Sequence, residues 1–142
     1  DVAVRFSKCC SPVPGDEIVG FVTRGRGISI HRTDCINVMN ISELDRNRLI
    51  DAEWQEDSVA ADAVFKAEIN VYVCDKVGVI VEVAKVFTEK EINVTAMSSR
   101  SGKNGKATIN VCFEIKSRQQ LGKIIDKLRS LDCVYDVERT RG

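Results

Sequence analysis

Phe65-Lys66-Ala67-Glu68-Ile69-Asn70-Val71-Tyr72-Val73 places an apolar residue at every second position, with Lys66, Glu68, Asn70 and Tyr72 between them. That period of two is the mark of a half-buried strand. From Gly78 the period changes: Ile80, Val83, Ala84 and Phe87 fall on one helical face, with Glu82, Lys85 and Glu89 outside. Ile92, Val94 and Ala96 begin a further strand. Lys103-Asn104-Gly105 then supplies the Asn-Gly pair favoured in a tight hairpin turn, and Ala107, Ile109, Val111, Phe113 and Ile115 alternate along the returning strand. A second helical stripe follows in Leu121, Ile124, Ile125, Leu128 and Leu131, and Val134 to Val137 close as a last strand. Strand, helix, strand, strand, helix, strand is the split βαβ order of ferredoxin-like folds. Right-handed crossovers put both helices on one face of the sheet. The opposite face carries Asn70, Tyr72, Cys74, Asn110 and Cys112 and meets either a partner or water.

Working back toward the start, Gln55 to Asp62 turns acidic and Ala-rich with no periodicity, so the join between two small domains is placed near Asp57. The expected fold class is α+β: a small α/β module over 1–56, then a ferredoxin-like βαββαβ domain over 57–142. In the first segment, Ser11-Pro12-Val13-Pro14-Gly15-Asp16 is turn chemistry ahead of an apolar strand from Ile18 to Val22. Thr23-Arg24-Gly25-Arg26-Gly27 provides a turn, and Ile28-Ser29-Ile30 returns as the second strand of a hairpin. Thr33 or Asp34 is placed to cap a helix through Ile36, Val38 and Met39 toward Leu44, with Ile50 to Trp54 as one more strand.

Composition excludes several classes. Lys plus Arg equals Asp plus Glu at 21 each, so nucleic-acid contact has to be local rather than spread over a basic surface. No stretch is apolar for long enough to span a membrane. The six cysteines, at 9, 10, 35, 74, 112 and 133, are unevenly spread, which favours reduced thiols in a cytoplasmic protein over a disulfide framework. The chain opens on Asp1 with no targeting segment and reads as part of something longer. His31 is the only histidine and stands in no nucleophile motif, so cysteine protease chemistry lacks support.

Asp75-Lys76-Val77-Gly78, between the first strand and first helix of the second segment, and Glu91-Ile92-Asn93-Val94 resemble the ACT domain, a small-molecule sensing module. Lys8-Cys9-Cys10-Ser11-Pro12-Val13-Pro14-Gly15-Asp16, Gly20 to Gly27, and His31-Arg32-Thr33-Asp34-Cys35 resemble the conserved-cysteine or zinc-finger module of RelA/SpoT (p)ppGpp synthetase/hydrolases. That family sets this module directly before a C-terminal ACT domain. The resemblance implies a non-catalytic regulatory end of a (p)ppGpp enzyme acting in the stringent response, with the catalytic domains upstream. A free-standing amino-acid-binding ACT regulator that never meets RNA is the competing reading.

Cys9, Cys10, His31 and Cys35 offer three thiols and an imidazole, a set suited to a closed, structural tetrahedral zinc. His31 and Cys35 share a face if a helix begins there. Cys9 and Cys10 can reach one metal only from a loop, because neighbours in a strand point to opposite sides. Without the family context the same thiols read as small buried hydrophobes. The resemblance further implies contact with ribosomal RNA by Lys8, Arg24, Arg26 and Arg32. Taken alone, Arg24-Gly25-Arg26-Gly27 reads as a solvated turn.

In the ACT-like segment, the N–H groups of Gly78, Val79 and Ile80 at a helix start suit a carboxylate. Asp75 and Asn93, next to Val94, suit an ammonium group. The resemblance implies a branched-chain amino acid here and a homodimer through the ACT domain. The alternative is purely local: Asp75 caps the helix, Gly78 permits the turn and Asn93 ends a strand. Lys76, Val77 and Val79 to Val81 depart from the Arg and Leu common in relatives.

Overall fold

The structure is a computed structural model that describes residues 4–23, 25, 27–54 and 63–140. It divides into two compact units, one ending at Ala63 and the other spanning Val64–Thr140. The boundary expected near Asp57 lies outside the described residues.

In the second unit, β5 (Phe65–Cys74) buries Ala67, Ile69, Val71 and Val73 and leaves the alternate residues half open. It is the inner strand of a sheet ordered β6-β7-β5-β8, where β6 is Val94–Ser101, β7 is Lys106–Ile115 and β8 is Val134–Arg139. All its pairings are antiparallel, the ferredoxin-like arrangement. The β6–β7 turn holds Asn104 at φ 61° and Gly105 at φ 69°, the pair of positive values that a type I′ turn requires.

Helices α2 (Val79–Glu89) and α3 (Arg118–Arg129) cover the apolar face. From α3 come Leu121, Ile124 and Leu128, from α2 Val79, Val83, Val86 and Phe87. Phe87 meets Phe113 at 5.0 Å between ring centroids. The expected stripe on α2 is corrected at its start: Ile80 is 45% exposed and Val79 is buried in its place. The cause is Gly78, the N-cap at φ 87°, which lets the first helical residue turn toward the sheet.

The first unit is a four-stranded sheet, β1-β3-β2-β4, in which β2 (Ile18–Thr23) and β3 (Gly27–Arg32) form the expected hairpin. β4 (Leu49–Asp51) ends before Trp54, whose ring stacks on Phe6 and whose Nε1 donates to the Asp16 carbonyl. A parallel edge strand, β1 (Val4–Phe6), pairs with β3. Helix α1 is a single turn, Ile36–Met39, with Cys35 rather than Thr33 or Asp34 at the N-cap position and no side-chain cap, and a 3-10 turn over Glu43–Arg48 replaces its expected continuation. Among the described residues of this unit, the buried apolar side chains are Cys10, Val13, Ile30 and Cys35 besides Pro12. Two of these are cysteines of one cluster.

Candidate metal centre

The chain from Lys8 to Cys10 forms a turn closed by the Ser11 N–H on the Ser7 carbonyl at 3.1 Å. The turn gives adjacent cysteines the freedom a strand would deny them. Opposite stand His31, near the end of β3, and Cys35 at the start of α1. Cys9 Sγ lies 3.4 Å from His31 Nδ1 and 3.4 Å from Cys35 Sγ, and Cys10 Sγ lies 3.9 Å from His31 Nδ1. All four ligand atoms fall within 4.8 Å of one another. A zinc tetrahedron, with bonds of about 2.3 Å to sulfur and about 2.0–2.1 Å to nitrogen, has ligand-to-ligand edges of roughly 3.5–3.8 Å. The residues fit that ion with little rearrangement.

The surroundings are equally specific. Ser29 Oγ meets His31 Nε2 at 3.1 Å, which leaves Nδ1 to face the thiols. Ser7 Oγ lies 2.8 Å from Cys9 Sγ, and the Arg32 N–H donates to Cys10 Sγ at 3.3 Å. Burial pushes the Cys10 thiol up to about 12; the Arg32 N–H opposes this, while charge on Cys35 and Cys9 adds to it. Burial, then the bond with Cys9, also raises Cys35. At Cys9 burial is outweighed by hydrogen bonds from Ser7, Asn37, Cys35 and Cys10, and the net shift is downward. Burial lowers His31, favouring the neutral imidazole that a metal needs.

The remaining expected residues are placed less uniformly. Lys8 is exposed beside Cys9, and Arg24 and Arg26 lie outside the described residues. Arg32 is 4% exposed with its guanidinium on Asp34 at 2.7 Å, so it is turned inward and does not belong with the surface contacts. At the α2 junction Gly78 and Ile80 are exposed, but the Val79 N–H already donates to the Lys76 carbonyl at 3.3 Å. Asp75 is exposed and α2 has no side-chain cap. Asn93 is exposed, its Nδ2 donating to Glu114 Oε1 at 3.0 Å, and Val94 is half-buried in β6. Ser7, Ser29, Arg32 and Asp34 are the supporting residues that motif reading did not assign to the centre. The Arg-Thr-Asp spacing directly before Cys35 is the signal that points to the last two.

Comparison with known proteins agrees with both units. Residues 61–139 match the ACT domain family, and residues 1–55 match the RelA/SpoT RIS domain. The chain thus belongs to the ACT-domain family, in the RIS-then-ACT order of the RelA/SpoT regulatory region. It is 35% identical over 139 residues to the GTP pyrophosphokinase of Streptomyces coelicolor, covering 98% of this chain and 16% of that protein. It is 36% identical over 139 residues to the Escherichia coli GTP pyrophosphokinase, covering 97% and 18%. With the bifunctional (p)ppGpp synthase/hydrolase RelA of Mycobacterium tuberculosis it shares 33% over 138 residues, covering 97% and 18%. The chain spans less than a fifth of the length of these relatives. The solution structure of the ACT domain from Chlorobium tepidum GTP pyrophosphokinase is similar at 28% identity and a TM-score of 0.50, covering 56% of this chain and 89% of that one. No helix among the described residues is long and apolar enough to cross a membrane.

Proposed function

We propose that the chain is the non-catalytic regulatory region of a cytoplasmic GTP pyrophosphokinase or (p)ppGpp hydrolase, reporting ribosome and amino-acid status to catalytic domains upstream. The observation that carries this reading is the convergence of Cys9, Cys10, His31 and Cys35, in a unit matching the RelA/SpoT RIS domain, with all ligand atoms within 4.8 Å. Zinc held there supplies a cross-link and charge neutralisation, and four protein ligands leave no open position for substrate. Few aliphatic side chains are buried among the described residues of the RIS unit, and a small core gains from such a staple.

On this reading Lys8, Arg24 and Arg26 contact the ribosomal RNA backbone. The α2 start, through Gly78 and Ile80 with Asp75, Asn93 and Val94, takes a branched-chain amino acid, and the ACT units pair as a homodimer. The open face of the β5–β7 sheet, with Asn70 and Asn110 bonded at 3.0 Å, is compatible with a paired surface.

The test is sedimentation of the 142-residue chain with purified large ribosomal subunits across a salt series. Binding should be salt-dependent and abolished by chelation, and Arg24→Ala with Arg26→Ala should reduce the log–log salt slope by about one per lost phosphate contact. Absent subunit binding, with valine, leucine or isoleucine still bound in a calorimetric titration, would instead establish a free-standing ACT regulator.

A further inference from the structure

Arg32 is 4% exposed, and a buried guanidinium is tolerated only where its donors are satisfied. Its Nε donates to Asp34 Oδ1 at 2.8 Å and its Nη2 to Asp34 Oδ2 at 2.7 Å, a two-pronged fork. Nη1 donates to the Cys10 carbonyl at 3.0 Å, while the backbone N–H of the same residue donates to Cys10 Sγ at 3.3 Å. Asp34 immediately precedes Cys35. One side chain therefore grips the Cys10 turn on one side and the residue leading into Cys35 on the other, joining two parts of the ligand set that are distant in sequence. Beyond the turn, buried Asp16 accepts the Val13 N–H at 2.9 Å, fixing where the loop continues.

We propose that the Arg32–Asp34 pair is a positioning clamp for the metal centre, holding Cys10 in the orientation that makes it the fourth ligand. The proposal rests on the metal reading above and goes beyond it by giving Arg32 a role other than RNA contact. The chemistry is consistent at each atom. Three thiolates and one neutral imidazole around a divalent cation carry a net negative charge, which the guanidinium offsets and the N–H donated to Cys10 Sγ spreads. Cys10 needs this help most, because it is the most buried of the Cys9–Cys10 pair and has its backbone carbonyl turned inward as well. Lysine would keep the charge but lose the planar fork, so it is not an equivalent side chain here. Asparagine at 34 would keep the volume but replace one acceptor oxygen by a donor group facing the guanidinium.

The test is titration of the metal-free 142-residue chain with Co²⁺ alone, comparing the parent with Arg32→Lys, Arg32→Met and Asp34→Asn. The parent should bind one cobalt with a tetrahedral spectrum and the thiolate charge-transfer intensity of three sulfurs. Arg32→Lys and Asp34→Asn should weaken affinity about 10–100-fold, the usual range for a lost supporting group. The deciding readout is the spectrum at saturation, where cobalt also folds variants that are loose without metal. It should fall by about a third per bound cobalt as Cys10 drops out of the set of three thiolates. A merely structural role would lower stability yet leave that spectrum intact. Unchanged affinity, or weakened affinity with the full three-thiolate spectrum, would overturn the clamp. Failure of the parent chain to take up cobalt would overturn the metal reading itself, and this is seen before any variant is compared.

Discussion

The two ring nitrogens of His31 have separate partners, Nδ1 among the sulfurs and Nε2 against Ser29 Oγ, and this division orients the imidazole before any ion arrives. The four candidate ligands are legible from residue types and spacing because few other side chains can serve a closed zinc site. Arg32 is not legible in that way: a charge next to His31 reads as surface, and only its 4% exposure in the fold shows that it is internal. Tyr72 offers a test of side-chain electrostatics in the other unit. Its hydroxyl donates to Glu138 Oε1 at 2.7 Å, and that bond, then burial, then the Glu138 charge raise its pKa. A phenol raised in the folded state contributes stability that is complete below the unfolded value of about 10 and is lost as pH rises through the folded value. In a Tyr135→Phe background, phenolate absorbance should titrate above the ordinary tyrosine range, and Glu138→Gln should bring it back down. No change on that substitution would refute the assignment.

At the scale of elements, β5 and β7 are legible because each alternates over its whole length between a buried and an open side. The β6–β7 turn is legible because Asn104-Gly105 accepts the two positive φ values at little steric cost. The phase of α2 is hidden, since the run from Val79 to Val81 is wholly apolar and cannot say which residue faces inward. β1 is hidden for another reason: three residues with exposed side chains, paired in parallel with β3, carry no periodic signal. The corrected α2 face makes a direct prediction. Phe87 is 1% exposed against Phe113, whereas Val81 is 69% exposed. In urea unfolding of the whole chain, Phe87→Ala should cost the ACT unit about 3–5 kcal/mol, and Val81→Ala should stay within about 0.5 kcal/mol. Comparable losses at both positions would mean the helix is turned differently.

For the molecule as a whole, the two units are held together internally by different means. The ACT unit has a conventional apolar core between one sheet and two helices, which is why periodicity alone yields its fold. The RIS unit buries few aliphatic side chains among its described residues: Cys10 and Cys35 lie inside with Pro12, Val13 and Ile30, and the polar side chains of Asp16 and Arg32 are buried as well. Patterning cannot reveal a core built from ligands, so that unit is read through its motif instead. On the proposed zinc reading, folding of this unit is coupled to metal binding, the ion supplying energy that apolar burial does not. Cys9, Cys10, His31 and Cys35 are accordingly expected to hold zinc. The most direct measurement is elemental zinc content per chain after expression with zinc supplied, for the parent and for Cys35→Ser. One zinc per parent chain and close to none in the variant are expected. A zinc-free parent, or a variant that retains its full complement, would contradict it.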